Sequence, residues 1–255
     1  MFADEGSEAV TINDHPLFTL RRLRLVSGLV MFVYLTLHLL NHALGILSLD
    51  LAERGLRLAL AVWRNPLASF LLYGAAAVHI ALALWTLYSR REWQLPWIEI
   101  LRLLAGFSFP LLLIGHAVTT RLGDEVYAIH PSYAAIIANL LAQGTQGMQL
   151  ALLAPGWLHG CLGLWISLRR FATMQRLKPL LVALMIVIPL AAAAGFLRMA
   201  DQVRAMAPPP VTPELLAERD ALAAWADDLM RFYIGAVAAA LLLGRVRAFA
   251  TRRSA

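Results

Sequence analysis

The sequence predicts an all-α fold, an integral membrane bundle of six transmembrane helices with both termini in the cytoplasm. Three observations carry that expectation. Of the 255 residues, 60% are hydrophobic and only 15% are charged, a balance far from that of a soluble domain. Six apolar runs of roughly spanning length recur along the chain, and about 20 apolar residues suffice to cross the hydrocarbon. The basic residues gather at the ends of these runs. With the amino terminus inside, thirteen Lys and Arg fall on the inner side and eight outside, and Arg102 lies within the third run. The positive-inside rule reads that excess as orientation.

Taken in order, residues 1–20 form a short acidic arm (Asp4, Glu5, Glu8, Asp14) ahead of Arg21, Arg22 and Arg24. The arm lacks the basic start and apolar block of a cleaved signal peptide. Span one covers residues 25–47. Residues 51–63, with Glu53, Arg54 and Arg57, read as an amphipathic helix in the interface. Span two, residues 67–88, starts after Arg64-Asn65-Pro66, since proline suits the first turn of a helix, and stops at Arg90-Arg91. Span three, residues 98–119, contains Pro110, expected to kink it before His116. A polar loop follows, with an apolar stretch at residues 133–141. Span four, residues 147–168, ends at Arg169-Arg170, and span five covers residues 180–197. Beyond Pro208-Pro209-Pro210, a helix over residues 213–228 feeds a short span six, residues 229–244, from which Arg231 snorkels outward. The chain thus divides into an arm at 1–20, a five-helix core at 21–200, and a connector, sixth span and cytoplasmic exit at 201–255.

Two function classes fall away early. The single cysteine, Cys161, excludes an intrachain disulfide and a cysteine-ligated iron–sulfur cluster. The formal net charge of +6 comes mostly from span-end arginines, so membrane lipid is the expected partner and nucleic acid is not. No internal repeat argues for a transporter with inverted halves.

Histidines carry the chemistry. His38, His79, His116 and His159 fall one per span on four successive spans, and His42 lies one turn beyond His38. An imidazole in hydrocarbon is costly and marks a functional site by default. At 1.5 Å of rise per residue, His38 and His116 lie about 21 Å from the inner edge, and His79 and His159 about 15–17 Å. The levels pair, so spans one and three would clamp an outer haem and spans two and four an inner one, each iron held by two neutral imidazoles. His38 is the expected ligand on span one, because His42 sits about 6 Å further out. His42 would then bond an outer propionate or a quinone, or only a neighbouring helix. Gly115, Gly160, Gly163 and Gly74-Ala75-Ala76-Ala77 supply small residues near the ligands. Arg24, Arg90 and Arg169 are candidate partners of inner propionates, and Arg64 and Arg121 of outer ones, beside their reading as topology anchors. His15 and His130 read as solvated surface groups. A haem-free bundle is the plainer alternative.

The placement of His38, His79, His116 and His159 resembles the dihaem cytochrome b anchors of succinate:quinone oxidoreductases and fumarate reductases. The Arg-rich opening, Ser27-Gly28 and His38-Leu39-Leu40-Asn41-His42 look like that family's first helix, and the likeness extends over residues 21–197. The sixth span departs from that pattern. Together with residues 63–66 (Trp-Arg-Asn-Pro) and 157–161 (Trp-Leu-His-Gly-Cys), it is more similar to the membrane anchor domain of bacterial class III adenylate cyclases.

That resemblance implies two haem b groups ligated by the four paired histidines, with ubiquinone or menaquinone as redox partner near Ser27 and Arg24. It implies a multi-pass protein of the bacterial inner membrane that acts as a redox-sensing anchor for a cytoplasmic cyclase domain lying outside this chain, as a homodimer if cyclase-linked. The segment itself would not be catalytic. The alternative is a cytochrome b anchor subunit of a respiratory complex, which would need separate flavin and iron–sulfur subunits as partners.

Overall fold

The computed structural model describes residues 16–206 and 212–253. Residues 1–15, including His15, and Pro208-Pro209-Pro210 of the connector lie outside the described residues. Everything described is helix, turn or short connection, with no strand. The helices are α1 (Pro16–Leu44), α2 (Leu49–Trp63), α3 (Pro66–Ser89), α4 (Trp97–Ala117), α5 (Gly123–Tyr127), α6 (Tyr133–Ala142), α7 (Gln146–Leu168), α8 (Ala172–Arg176), α9 (Lys178–Arg204) and α10 (Pro213–Arg253), with a π-helical turn over Val118–Leu122 joining α4 to α5. Six of these segments are long and apolar enough to cross a membrane. Helix is the answer such sequences reach because it pairs each backbone N–H and C=O within its own segment, where no water can.

Local signals set several boundaries. Ser48 Oγ accepts the Leu51 amide at 3.1 Å to start α2, and Asn65 Oδ1 accepts the Leu67 amide at 2.9 Å with Pro66 at the first position of α3, as capping chemistry requires. Ser132 caps α6 in the same way through the Ala135 amide. Helices α4, α7 and α9 run through Pro110, Pro155 and Pro189 without a break.

Five helices form a ring. α1 packs on α3 and α7, α7 on α4, and α10 on both α3 and α4, closing the circle, while α9 buttresses α1 and α7 from outside. The sixth long helix is therefore a wall of the bundle. It is also 41 residues long and unbroken, so the short sixth span expected from sequence is part of one rod about 60 Å in length at 1.5 Å per residue. Arg231 lies on that rod, exposed and paired with Asp228 at 3.1 Å and Asp227 at 3.9 Å. Residues 49–63, expected as an interfacial helix, and residues 133–142 pack into the protein core. Leu49, Ala52, Tyr133 and Ile137 are buried with Phe196 and Met199 of α9 in one core cluster, and the Leu49 amide bonds Gln202 Oε1 at 3.1 Å.

The joint between α1 and α9 is a backbone contact. A Cβ on Gly195 would overlap the His42 carbonyl oxygen and stand 3.2 Å from Ala43 Cα, and one on Gly45 would stand 2.7 Å from the Gly195 oxygen. Nearby, Trp157 stacks on Phe32 with ring centres 5.0 Å apart and donates its indole N–H to the Met185 carbonyl at 3.1 Å. Gly195→Leu is expected to force α9 away from α1 and cost about 1–3 kcal/mol as an overpacking change, lowering the thermal unfolding midpoint of the purified protein. Gly235→Leu, on an open face of α10, is the neutral control.

Candidate functional site

Within the ring lies a cavity of about 1410 Å³ lined by α1, α3, α4, α7 and α10 and capped at one end by α2, α6 and the π turn. That volume exceeds the 300–1,000 Å³ that ordinarily holds one drug-sized ligand. All four predicted histidines and His42 line it. The end where α1 begins and α3 ends is called inner here, and the end bearing α2, α5 and α6 outer.

The imidazoles come together in the pairs that depth suggested. His79 and His159 have ring centres 6.0 Å apart, and His38 and His116 5.9 Å. At metal–imidazole distances of about 2.0–2.1 Å, two rings on opposite sides of one metal have centres about 6 Å apart. Among the described residues no group of three or more His, Cys, Asp or Glu side chains is placed to hold a metal ion. The imidazoles come in two pairs, with His42 beside His38 at the outer one, and each pair could hold a planar group from both faces.

The inner pair is also set in the correct tautomer. His159 Nδ1 lies 2.9 Å from the Arg102 carbonyl oxygen, which only accepts, so the ring carries its proton on Nδ1 and leaves the Nε2 lone pair free. His79 Nδ1 lies 3.2 Å from Ser27 Oγ. That hydroxyl spends its own proton on the Leu23 carbonyl at 2.7 Å, so it accepts from His79 and frees Nε2 there as well. Orienting a ligating imidazole through its other nitrogen is the usual arrangement in metal sites.

Glycines on the facing helices make room for both rings. A Cβ on Gly28 would stand 3.2 Å from His79 Cε1, and one on Gly106 would overlap His159 Nδ1. The glycines singled out from sequence near the ligands do not lie against a histidine ring. A Cβ at Gly74, Gly115 or Gly163 meets nothing, and one at Gly160 meets Phe32. Close approach is needed opposite a histidine, on the helix it leans against, and proximity in sequence does not reveal that helix.

At the outer pair, His38 Nε2 lies 3.2 Å from His42 Nε2, and Gln149 lines the cavity with them. The His42 ring faces Tyr133 with centres 5.3 Å apart, and its buried Nδ1 has no partner. Tyr133 Oη accepts from Asn41 Nδ2 at 2.9 Å, and burial pushes its phenol well above the usual range, holding it protonated.

The two ends differ in charge. Arg24 Nη2 donates to Thr86 Oγ1 at 2.6 Å and the Leu82 carbonyl at 3.2 Å, while the buried Nε atoms of Arg24 and Arg102 have no partner. Both line the inner cavity, as does the exposed Arg169. At the outer end Arg64 is ion-paired with Asp124 and bonds the Thr120 carbonyl at 3.1 Å, and Arg121 pairs with Glu125 at 3.1 Å. Asp124 also holds His130, which is exposed, at 2.9 Å. The π turn that presents Thr120 and Arg121 is a distortion common at functional sites.

Of the residues proposed from sequence, Arg24, His42, Arg64, Arg121 and Arg169 line the cavity, whereas Ser27 stands behind His79 and Arg90 lies outside, its guanidinium 5.9 Å from the Trp93 ring centre. Sequence reading gave no site role to Gly106, Arg102, Gln149, Tyr133 and Tyr233, and quoted Gly28 only within a motif. Arg102, a charge inside an apolar run, carried a signal as well. No family model matches the chain, and comparisons with curated proteins and with solved structures return no match either.

Proposed function

We propose that the chain is a dihaem b-type cytochrome domain of the bacterial inner membrane that exchanges electrons with membrane quinone and transmits its redox state to a cytoplasmic catalytic domain of the class III adenylate cyclase type. The observation that carries this reading is the two imidazole pairs, 5.9 and 6.0 Å between ring centres, facing one another across a single apolar cavity. His79 and His159 would hold the inner haem, and His38 and His116 the outer one. When bound, such groups supply one-electron transfer, and filling both axial positions favours electron transfer over oxygen chemistry.

The chain's own residues supply the rest. Ser27 and the Arg102 carbonyl keep the inner imidazoles neutral and aimed, and the apolar ring excludes water. Arg24, Arg102 and Arg169 offer guanidiniums to inner carboxylates. At the outer end Arg64 and Arg121 do so in competition with Asp124 and Glu125. Helix α10 favours a sensing role over a passive anchor. It contributes Leu229, Phe232 and Tyr233 to the cavity wall, and the Tyr233 hydroxyl donates to the Phe107 carbonyl at 2.8 Å, one residue from the glycine that seats His159. With both termini cytoplasmic, α10 leads from that wall to the inner face. Signalling requires two states with different contacts, and this hydrogen bond is where they would differ.

Haem extraction from purified protein with a reduced-minus-oxidised spectrum tests the reading: two b-type haems per chain are expected, and none would end it. The charge asymmetry predicts an order of potentials. A positive charge about 10 Å from a redox centre would favour its reduced form by about 1.7 kcal/mol at an effective dielectric of 20, about 70 mV for one electron. In a potentiometric titration the haem at His79 and His159 is expected to titrate higher, and Arg102→Gln to lower that step alone.

A further inference from the structure

The inner ends of α3 and α10 form a second constellation, outside the histidine cavity. Gly244 of α10 abuts the end of α3 so closely that a Cβ there would stand 2.8 Å from the Tyr88 carbonyl oxygen and 3.1 Å from that of Leu87. Around this contact three guanidiniums gather on two aromatic rings. Arg245 and Arg90 lie 5.2 and 5.9 Å from the centre of the same Trp93 ring, and Arg247 lies 5.0 Å from that of Tyr88. None of the three forms an ion pair among the described residues. Two donors beside them, Arg90 Nε and Ser89 Oγ, are buried without a hydrogen-bond partner.

Three like charges in one place, with unspent donors between them, call for an anion. Guanidinium forks match phosphate oxygens, and a serine hydroxyl adds a single further donor. The place sets the rest of the ligand. α3 ends at Ser89, so the charges stand at headgroup level, and the exposed faces of Trp85, Leu242 and Val246 continue from them along the spans. We propose that the surface around this contact of α3 and α10 binds an anionic phospholipid, its headgroup phosphate held by Arg90, Arg245, Arg247 and Ser89 and its acyl chains against that apolar shelf. A basic site between helices at the membrane surface is the form such recognition takes.

The test uses the full chain, delipidated in neutral detergent and titrated with phosphatidylglycerol or phosphatidylcholine under native mass spectrometry. Wild type is expected to retain phosphatidylglycerol selectively. The Arg245→Gln/Arg247→Gln double variant is expected to hold it about thirty-fold more weakly, with an unchanged helical circular dichroism signal. Arg247→Lys, which keeps the charge but loses the fork, should weaken it by a smaller factor and serves if the double variant unfolds. Equal retention of phosphatidylcholine would show the arginines to be general membrane anchors and overturn the proposal. So would undiminished binding by both variants. Displacement of the lipid by excess inorganic phosphate would assign the arginines to a soluble anion and overturn it too.

Discussion

Gly106→Leu is expected to leave one b-type haem per chain in place of two. A Cβ at residue 106 would overlap His159 Nδ1 and stand 2.5 Å from Cε1, and the atom it displaces is the one that bonds the Arg102 carbonyl. The obstacle is anchored to helix backbone, so the imidazole must turn away and give up both its fixed tautomer and its place opposite His79. His159→Ala should cause the same loss, about half of the haem absorbance. Gly74→Ala and Gly115→Ala, whose added methyl groups meet open space outside the cavity lining, should retain both haems. Pyridine haemochrome stoichiometry per chain checks all four, and two full equivalents in Gly106→Leu would show that His159 holds no haem.

His38→Ala is expected to remove the outer haem, and His42→Ala to keep it. Only His38 forms the ring pair with His116; the His42 ring stands 4.6 Å from His38 and 5.3 Å from Tyr133. In the His42 variant the haem survives, but its site loses a buried hydrogen-bonding neighbour of His38, a change worth about 1–3 kcal/mol. A shifted outer potential with an unchanged low-spin spectrum is the expected signature. Haem loss confined to His42→Ala would transfer the ligand role to His42.

Much of this was legible before folding. Four imidazoles in four apolar runs declare themselves because hydrocarbon makes each one costly, and a constant helical rise converts their positions into levels, so the pairing of His38 with His116 and of His79 with His159 follows from arithmetic on the sequence. The span-end arginines were equally visible, but not all of their partners were. Glu125 stands one turn from Arg121 and its pairing could be read from the i,i+4 spacing, but nothing near Arg64 in sequence says that Asp124, sixty residues on, pairs with it. A sequence reading that set the sixth span apart from the core could not show α10 filling the gap between α3 and α4 while α9 lies outside the ring.

The sequence by itself determined that this chain is helical, that six of its segments are long and apolar enough to cross a membrane, and at what level along its helix each histidine stands. These are properties of single segments, set by burial cost and helical rise. Only the tertiary structure decided which helix faces which: that Gly28 and Gly106 seat the inner imidazoles, that Ser27 backs His79, that Tyr233 touches the cavity wall at Phe107, and that Arg90 turns toward Trp93. Contacts between helices depend on rotation about each axis and on order around the ring. Lipid and protein interior are nearly equally apolar, so hydrophobicity fixes neither, and close packing of small residues and a few buried hydrogen bonds must.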